Sequence, residues 1–142
     1  MEKQQPLMLT LKMLSKEWGR YLRKITGEIG VPDSYRHIIM FLSCNPGASQ
    51  KKVAEVCQLT GAAVSQIIKE MQLAGYIKKE VDSSDGRYFN LFLTEKAEAK
   101  VEIIRSKIDI ADNYVTEKIG KEKEIEIVKV LSELTQTLKE EI

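Results

Sequence analysis

The stretch from Ser49 to Leu93, SQKKVAEVCQLTGAAVSQIIKEMQLAGYIKKEVDSSDGRYFNLFL, constrains this chain more than any other. Its first part reads as two short helices in tandem, its second as two short strands around a tight polar turn. Ser49 is placed to cap a helix whose Val53, Ala54 and Cys57 face inward, and Thr60 to cap the next. Hydroxyl side chains at those positions accept from backbone N–H groups that a helix start leaves unpaired. Only Gln58 and Leu59 lie between the first helix and Thr60, so the two helices must cross rather than run on. Gly75 then supplies a left-handed C-cap. Tyr76 to Val81 continues as a strand, Asp82, Ser83, Ser84, Asp85 and Gly86 form the turn, and Tyr88 to Leu93 returns.

The second helix of the pair carries two interlocking stripes. Val64, Ile67, Ile68 and Met71 fall at i, i+3, i+4 and i+7, which makes one face apolar and directs it to a core. Ala62, Ser65, Gln66 and Lys69 repeat the spacing on another face with small, hydrogen-bonding or positive side chains and no acid. A DNA major groove asks for that mixture: small residues to admit the helix, an amide for a base edge, a cation for phosphate. With a hairpin directly after it, the arrangement is a winged helix-turn-helix.

These residues resemble the MarR family of transcriptional regulators, and the likeness extends over nearly the whole chain. It takes in a long N-terminal helix, the winged helix-turn-helix, the wing turn Asp85-Gly86-Arg87, the Leu93-Thr94 step into a long helix, and a final helix. The resemblance implies that Arg87 reaches a minor groove while Asp85 helps to hold it. A narrow A/T-rich groove concentrates negative potential and suits an arginine. Three positions depart from the family pattern. Gln66 stands where many relatives have arginine, so the base read there shifts from guanine toward adenine. Ala97 stands where glycine is common, and Lys121 where relatives often carry a Ser or Thr cap.

The flanks suggest why the chain is longer than this core. Leu7, Leu11, Leu14, Trp18, Leu22, Ile25 and Ile29 recur in steps of three and four, so residues 7–29 read as a helix with one apolar stripe. Gly30, Pro32 and Asp33 end it, and Asp33 or Ser34 is expected to cap a helix from Tyr35 to about Cys44 with Ile38, Ile39 and Leu42 inside. Asn45-Pro46-Gly47 closes that helix. Ala97, Val101, Ile104, Ile108, Ala111, Val115 and Ile119 make a long stripe ending at Gly120, and Ile125, Val128, Leu131, Leu134, Leu138 and Ile142 a second. Three long apolar faces exceed what one small domain can cover, so burial in a homodimer is expected. The fold class is thus mainly α with a small β-hairpin wing (α+β). It divides into an N-terminal dimerisation helix (1–31), a winged helix-turn-helix (32–93) and C-terminal dimerisation helices (94–142).

Net charge is only +1, but its distribution is uneven: residues 1–79 carry +6 and residues 80–142 carry −5. That asymmetry would orient the molecule on a polyanion such as double-stranded DNA. Lys51, Lys52, Thr60 and Lys69 are expected near phosphate, and Ala62, Ser65 and Gln66 at base edges. No apolar run approaches the ~18 residues that span a bilayer, and the N-terminus lacks a signal-peptide pattern, so no membrane association and a cytoplasmic location are expected. One histidine, His37, with no phosphate-binding glycine loop and no metal or triad spacing, argues against an enzyme and against a cofactor. Trp18, Tyr21, Tyr35, Arg36 and His37 cluster aromatic and basic character where relatives bind small, often phenolic, effectors. Cys44 and Cys57 are expected to be buried, reduced thiols. The reading is a homodimeric repressor on pseudo-palindromic operators; the alternative is a winged-helix module that holds a protein partner.

Overall fold

The computed structural model describes residues 4–141, and the Ile142 of the last stripe lies outside them. In chain order the elements are α1 (Leu7–Thr26), a single 3-10 turn (Gly27–Ile29), α2 (Asp33–Cys44), β1 (Ala48–Ser49), α3 (Gln50–Val56) and α4 (Gly61–Leu73). Then follow β2 (Ile77–Val81), β3 (Phe89–Leu93), α5 (Glu95–Ile119) and α6 (Lys121–Glu141). The sheet is antiparallel in the order β1-β3-β2. Ile77 pairs with Leu93 at its base and Val81 with Phe89 toward its tip. The chain falls into two compact units, one up to Lys107 and one from Ile108.

In the first unit the apolar stripes meet. Ile38, Ile39 and Leu42 of α2, Val53 of α3, Val64, Ile68 and Met71 of α4, and Leu91 of β3 are all at most 1% exposed. Burial at that level is worth roughly 1.5–3 kcal/mol per large aliphatic side chain, and apart from Leu91 it comes from positions the sequence marked as inward. Ala97, Val101 and Ile104 continue the core from α5, and Leu22 and Ile29 from α1 and the turn after it. Lys100 Nζ donates to the Ile29 carbonyl at 3.0 Å, which ties α5 to that turn.

Several boundaries differ from the sequence expectation. The first helix loses its α geometry at Thr26, and the remaining residues to Ile29 tighten into the 3-10 turn before Gly30, whose φ is +80°. The second helix begins at Asp33, not after a cap at Asp33 or Ser34. Pro32 precedes it, and its carbonyl accepts from the N–H groups of Tyr35 and Arg36 at 3.1 and 3.2 Å. The strands start one residue later than expected, at Ile77 and Phe89. A third strand was not expected at all: Ala48 pairs with Leu91 and Ser49 with Asn90. Cys44 is exposed rather than buried, and Cys57 is only partly covered.

Toward both ends the apolar stripes lie open. Leu7, Leu14 and Trp18 of α1 are 37–58% exposed, and on α6 Ile125 and Val128 are 59% and 60% exposed. Among the described residues no helix is long and apolar enough to cross a membrane.

Candidate nucleic-acid interface

Two capped helix starts and two tight helix ends build the interface. Ser49 Oγ accepts from Lys52 N at 3.1 Å, and Thr60 Oγ1 from Ala63 N at 3.1 Å. Between them α3 ends with Leu59 N bonded to the Ala54 carbonyl at 2.9 Å and Gln58 N to the Glu55 carbonyl at 3.4 Å. Those two bonds make a Schellman end, whose left-handed position usually falls to glycine. Here Gln58 takes it, with φ +55°. Helix α4 ends the same way, with Tyr76 N bonded to Met71 O at 2.8 Å, Gly75 N to Gln72 O at 3.1 Å, and Gly75 at φ +83°. Thr94 Oγ1 then donates to the Gly75 carbonyl, and Lys96 Nζ to the Ala74 carbonyl at 2.8 Å, which fastens the end of α4 to the start of α5.

With the apolar side of α4 packed inward, Ala62, Ser65, Gln66 and Lys69 are all exposed, as is the capping Thr60. Lys51 and Lys52 are exposed in the first turn of α3, and Lys52 Nζ lies 3.7 Å from Glu55. Neither α3 nor α4 has an acid in its first turn. Cations at a helix N-terminus oppose the helix dipole, by about 0.3–1 kcal/mol each at an exposed site. The placement of Lys51 and Lys52 therefore costs local stability and suits an external anion.

The wing turn is held by two aspartates. Asp82 Oδ1 accepts from the backbone N–H groups of Ser84 and Asp85 at 2.8 and 3.2 Å and from the Ser84 hydroxyl. Those hydrogen bonds keep its carboxyl below the ordinary range. Asp85 grips Arg87 with both oxygens, at 3.1 Å from Nε and 2.9 Å from Nη2, and also accepts the Arg87 backbone N–H at 3.0 Å. The Arg87 side chain lowers the Asp85 pKa, with the backbone bond second. A bidentate pair fixes a guanidinium in direction as well as place. Yet the Arg87 side chain is 83% exposed, so the group is aimed but not covered.

The five candidate effector residues have separate partners. Trp18 and Tyr21 stack obliquely with centroids 6.1 Å apart, and Tyr35 meets Tyr76 edge-on at 5.9 Å. Burial, and after it the Glu70 charge, pushes the Tyr35 phenol pKa up. Arg36 is 6% exposed, its Nη2 stands 3.9 Å from Asp33 Oδ1, and its Nε has no hydrogen-bond partner among the described residues. His37 shows to solvent at the helix surface, but partial cover of its ring, and then the Arg36 charge, lowers its pKa. Among the described residues no group of three or more His, Cys, Asp or Glu could hold a metal ion.

Three exposed charged residues near this face lie outside the sequence expectation. Lys78 and Lys79 stand exposed on β2, the latter with Nζ 5.7 Å from the Phe89 ring centroid. Their charge is plain in the sequence, but their place on the wing follows from the pairing of β2 with β3. Glu70 is the third: Gln66 Nε2 donates to its Oε1 at 3.1 Å, and the i,i+4 spacing was there to be read.

Residues 29–87 match the model of the MarR family. A curated relative, the uncharacterized HTH-type transcriptional regulator YybA of Bacillus subtilis (strain 168), is 31% identical over 61 residues. That match covers 43% of this chain and 41% of the relative, so the chain spans less than half the length of the curated protein it resembles. The S. aureus MepR–DNA complex superposes with a TM-score of 0.84 at 20% identity, over 95% of this chain and 99% of that one. The MarR family transcription regulator SP03579 does so with a TM-score of 0.85 at 23% identity, over 94% and 88%. Residues 29–87 are thus similar to the MarR family, and the fold is that of solved MarR-type regulators, with a winged helix-turn-helix at its centre.

Proposed function

We propose that this chain is a DNA-binding transcription regulator of the MarR type, a repressor that acts as a homodimer in the cytoplasm on pseudo-palindromic operators. The observation that carries the reading is the pairing of two exposed devices: the groove-sized face of α4 and the Asp85-aimed guanidinium of Arg87 on the adjoining wing. In this reading Ala62, Ser65 and Gln66 meet base edges. Lys51, Lys52, Thr60 and Lys69 meet phosphates, and Arg87 enters the minor groove. The MepR structure, a DNA complex, supports it through a shared fold. The exposed stripes of α1 and α6 support dimerisation, since a lone chain would leave them in water. Buried Arg36, half-paired with Asp33, supports an anionic or phenolic effector beside Trp18, Tyr21, Tyr35 and His37.

Two recognition helices related by a dyad meet successive major grooves about 10 base pairs apart. Selection of bound sequences from random duplex DNA tests this directly. The expected result is an enriched pseudo-palindrome with that spacing, and no enrichment with or without phenolic ligand would overturn the reading. A protein-binding module is the competing reading, favoured by Leu73, 81% exposed at the end of α4. A steep fall of DNA affinity with salt separates the two, because counterion release scales with the phosphates neutralised.

A further inference from the structure

The recognition helix carries one charge that a phosphate-facing surface would not select. Glu70 follows Lys69 on the exposed side of α4, and its Oε1 accepts a hydrogen bond from Gln66 Nε2 at 3.1 Å. The i,i+4 spacing brings the two side chains together on one turn of the helix, and the carboxylate holds the amide.

A carboxylate only accepts hydrogen bonds, so the atom of Gln66 that faces it must be the amide nitrogen. One N–H is committed to Glu70, which leaves the carbonyl oxygen and the second N–H for a base edge. That pair matches the N6 amino group and N7 of adenine. The neighbouring negative charge repels the two acceptors of guanine and favours bases that present an amino group.

We infer that Glu70 is a positioning residue that fixes the base preference of Gln66 by orienting its amide. This rests on the reading of the chain as a DNA-binding regulator, and the experiment separates the two.

The full chain and its Gln66→Ala and Glu70→Gln variants are selected against random duplex DNA, and binding to single-base operator variants is then measured across a salt series. Gln66→Ala flattens the preference at one base pair in each half-site. Glu70→Gln flattens the same base pair by about tenfold and tightens non-specific binding, because a negative charge is gone. A purely structural role would lower thermal stability without moving one base pair's preference. The inference is overturned if Glu70→Gln keeps the wild-type preference at the Gln66 base pair, or loses preference evenly at all positions. It also falls if Gln66→Ala changes no preference. Absence of any selected sequence for the wild-type chain would instead refute the regulator reading itself.

Discussion

The two helix ends that frame α4 offer a test with opposite signs. Both are Schellman ends with one residue at positive φ, but one uses Gly75 and the other Gln58. A Cβ added to Gly75 would meet nothing closer than Lys96 Cδ at 3.8 Å, an ordinary contact, so Gly75→Ala has no steric cost beyond its own backbone. A left-handed L-residue costs roughly 1–2 kcal/mol, and the stiffer unfolded chain returns about 0.4–1, leaving a net loss of ~1 kcal/mol. The reverse change, Gln58→Gly, removes an exposed side chain and relieves the same strain, for a gain of ~0.5–1 kcal/mol by the same reasoning. Urea melts followed by circular dichroism, at one protein concentration because dimers gain stability with concentration, would read both. Gly75→Ala should lower the midpoint and Gln58→Gly raise it, with the m-value unchanged. Shifts of the same sign, or a gain from Gly75→Ala, would refute the argument that backbone conformation controls these ends.

Three further outcomes follow from the same geometry. Ile68→Ala, at a fully buried site in α4, should cost about 2–5 kcal/mol and lower thermal stability of the whole domain; a loss under half a kcal/mol in the melt would show the core to be wrongly drawn. Arg87→Ala should weaken operator binding sharply while leaving the melting curve intact, since the side chain is exposed; unchanged affinity would remove the wing from the interface. Its partner sets the pH range: the depressed Asp85 pKa means the wing contact is complete above the ordinary carboxylate value and is lost as pH falls through the lower folded one. Wing-dependent affinity should therefore be flat across neutral pH and fade only in acid, and a fade at neutral pH would contradict the pairing. Arg36→Met should leave thermal stability equal or higher, because a buried, half-paired cation gives way to a side chain that needs no partner. A clear drop in melting temperature would show that Arg36 is better satisfied than its contacts indicate.

Much of the fold is legible in the residues because the relevant chemistry is local. Ser49 and Thr60 cap through hydroxyls that act within three residues of themselves, Gly75 marks its own conformation, and the Asp85-Gly86-Arg87 turn closes on itself. What escaped depends on partners distant in sequence. Ala48 and Ser49 look like a loop until Leu91 and Asn90 arrive to pair with them. Gln58 has no composition signal for a left-handed position, since the helix packing around it forces what glycine would adopt freely. The start of α2 at Asp33 follows from the Pro32 carbonyl serving two N–H groups, where capping rules point to an acid or a serine. Arg36 reads as a surface residue from its type, and only the tertiary arrangement buries it. The face of α4 was legible as a mixture of side chains, while the atom of Gln66 that turns toward Glu70 needed the side chains in place.

Ser49 belongs to two elements at once. Its backbone pairs with Asn90 in the sheet, and its hydroxyl closes the first turn of α3. Mechanically the hairpin is then braced partway along its length by a strand that is also the socket of a helix, with no residue of slack between them. A swing of the hairpin about that brace twists α3, and a tilt of α3 pulls on the central strand. The helix pair and the hairpin therefore behave as one lever with two working ends, and a hinge between them would require Ser49 to give up one of its two attachments.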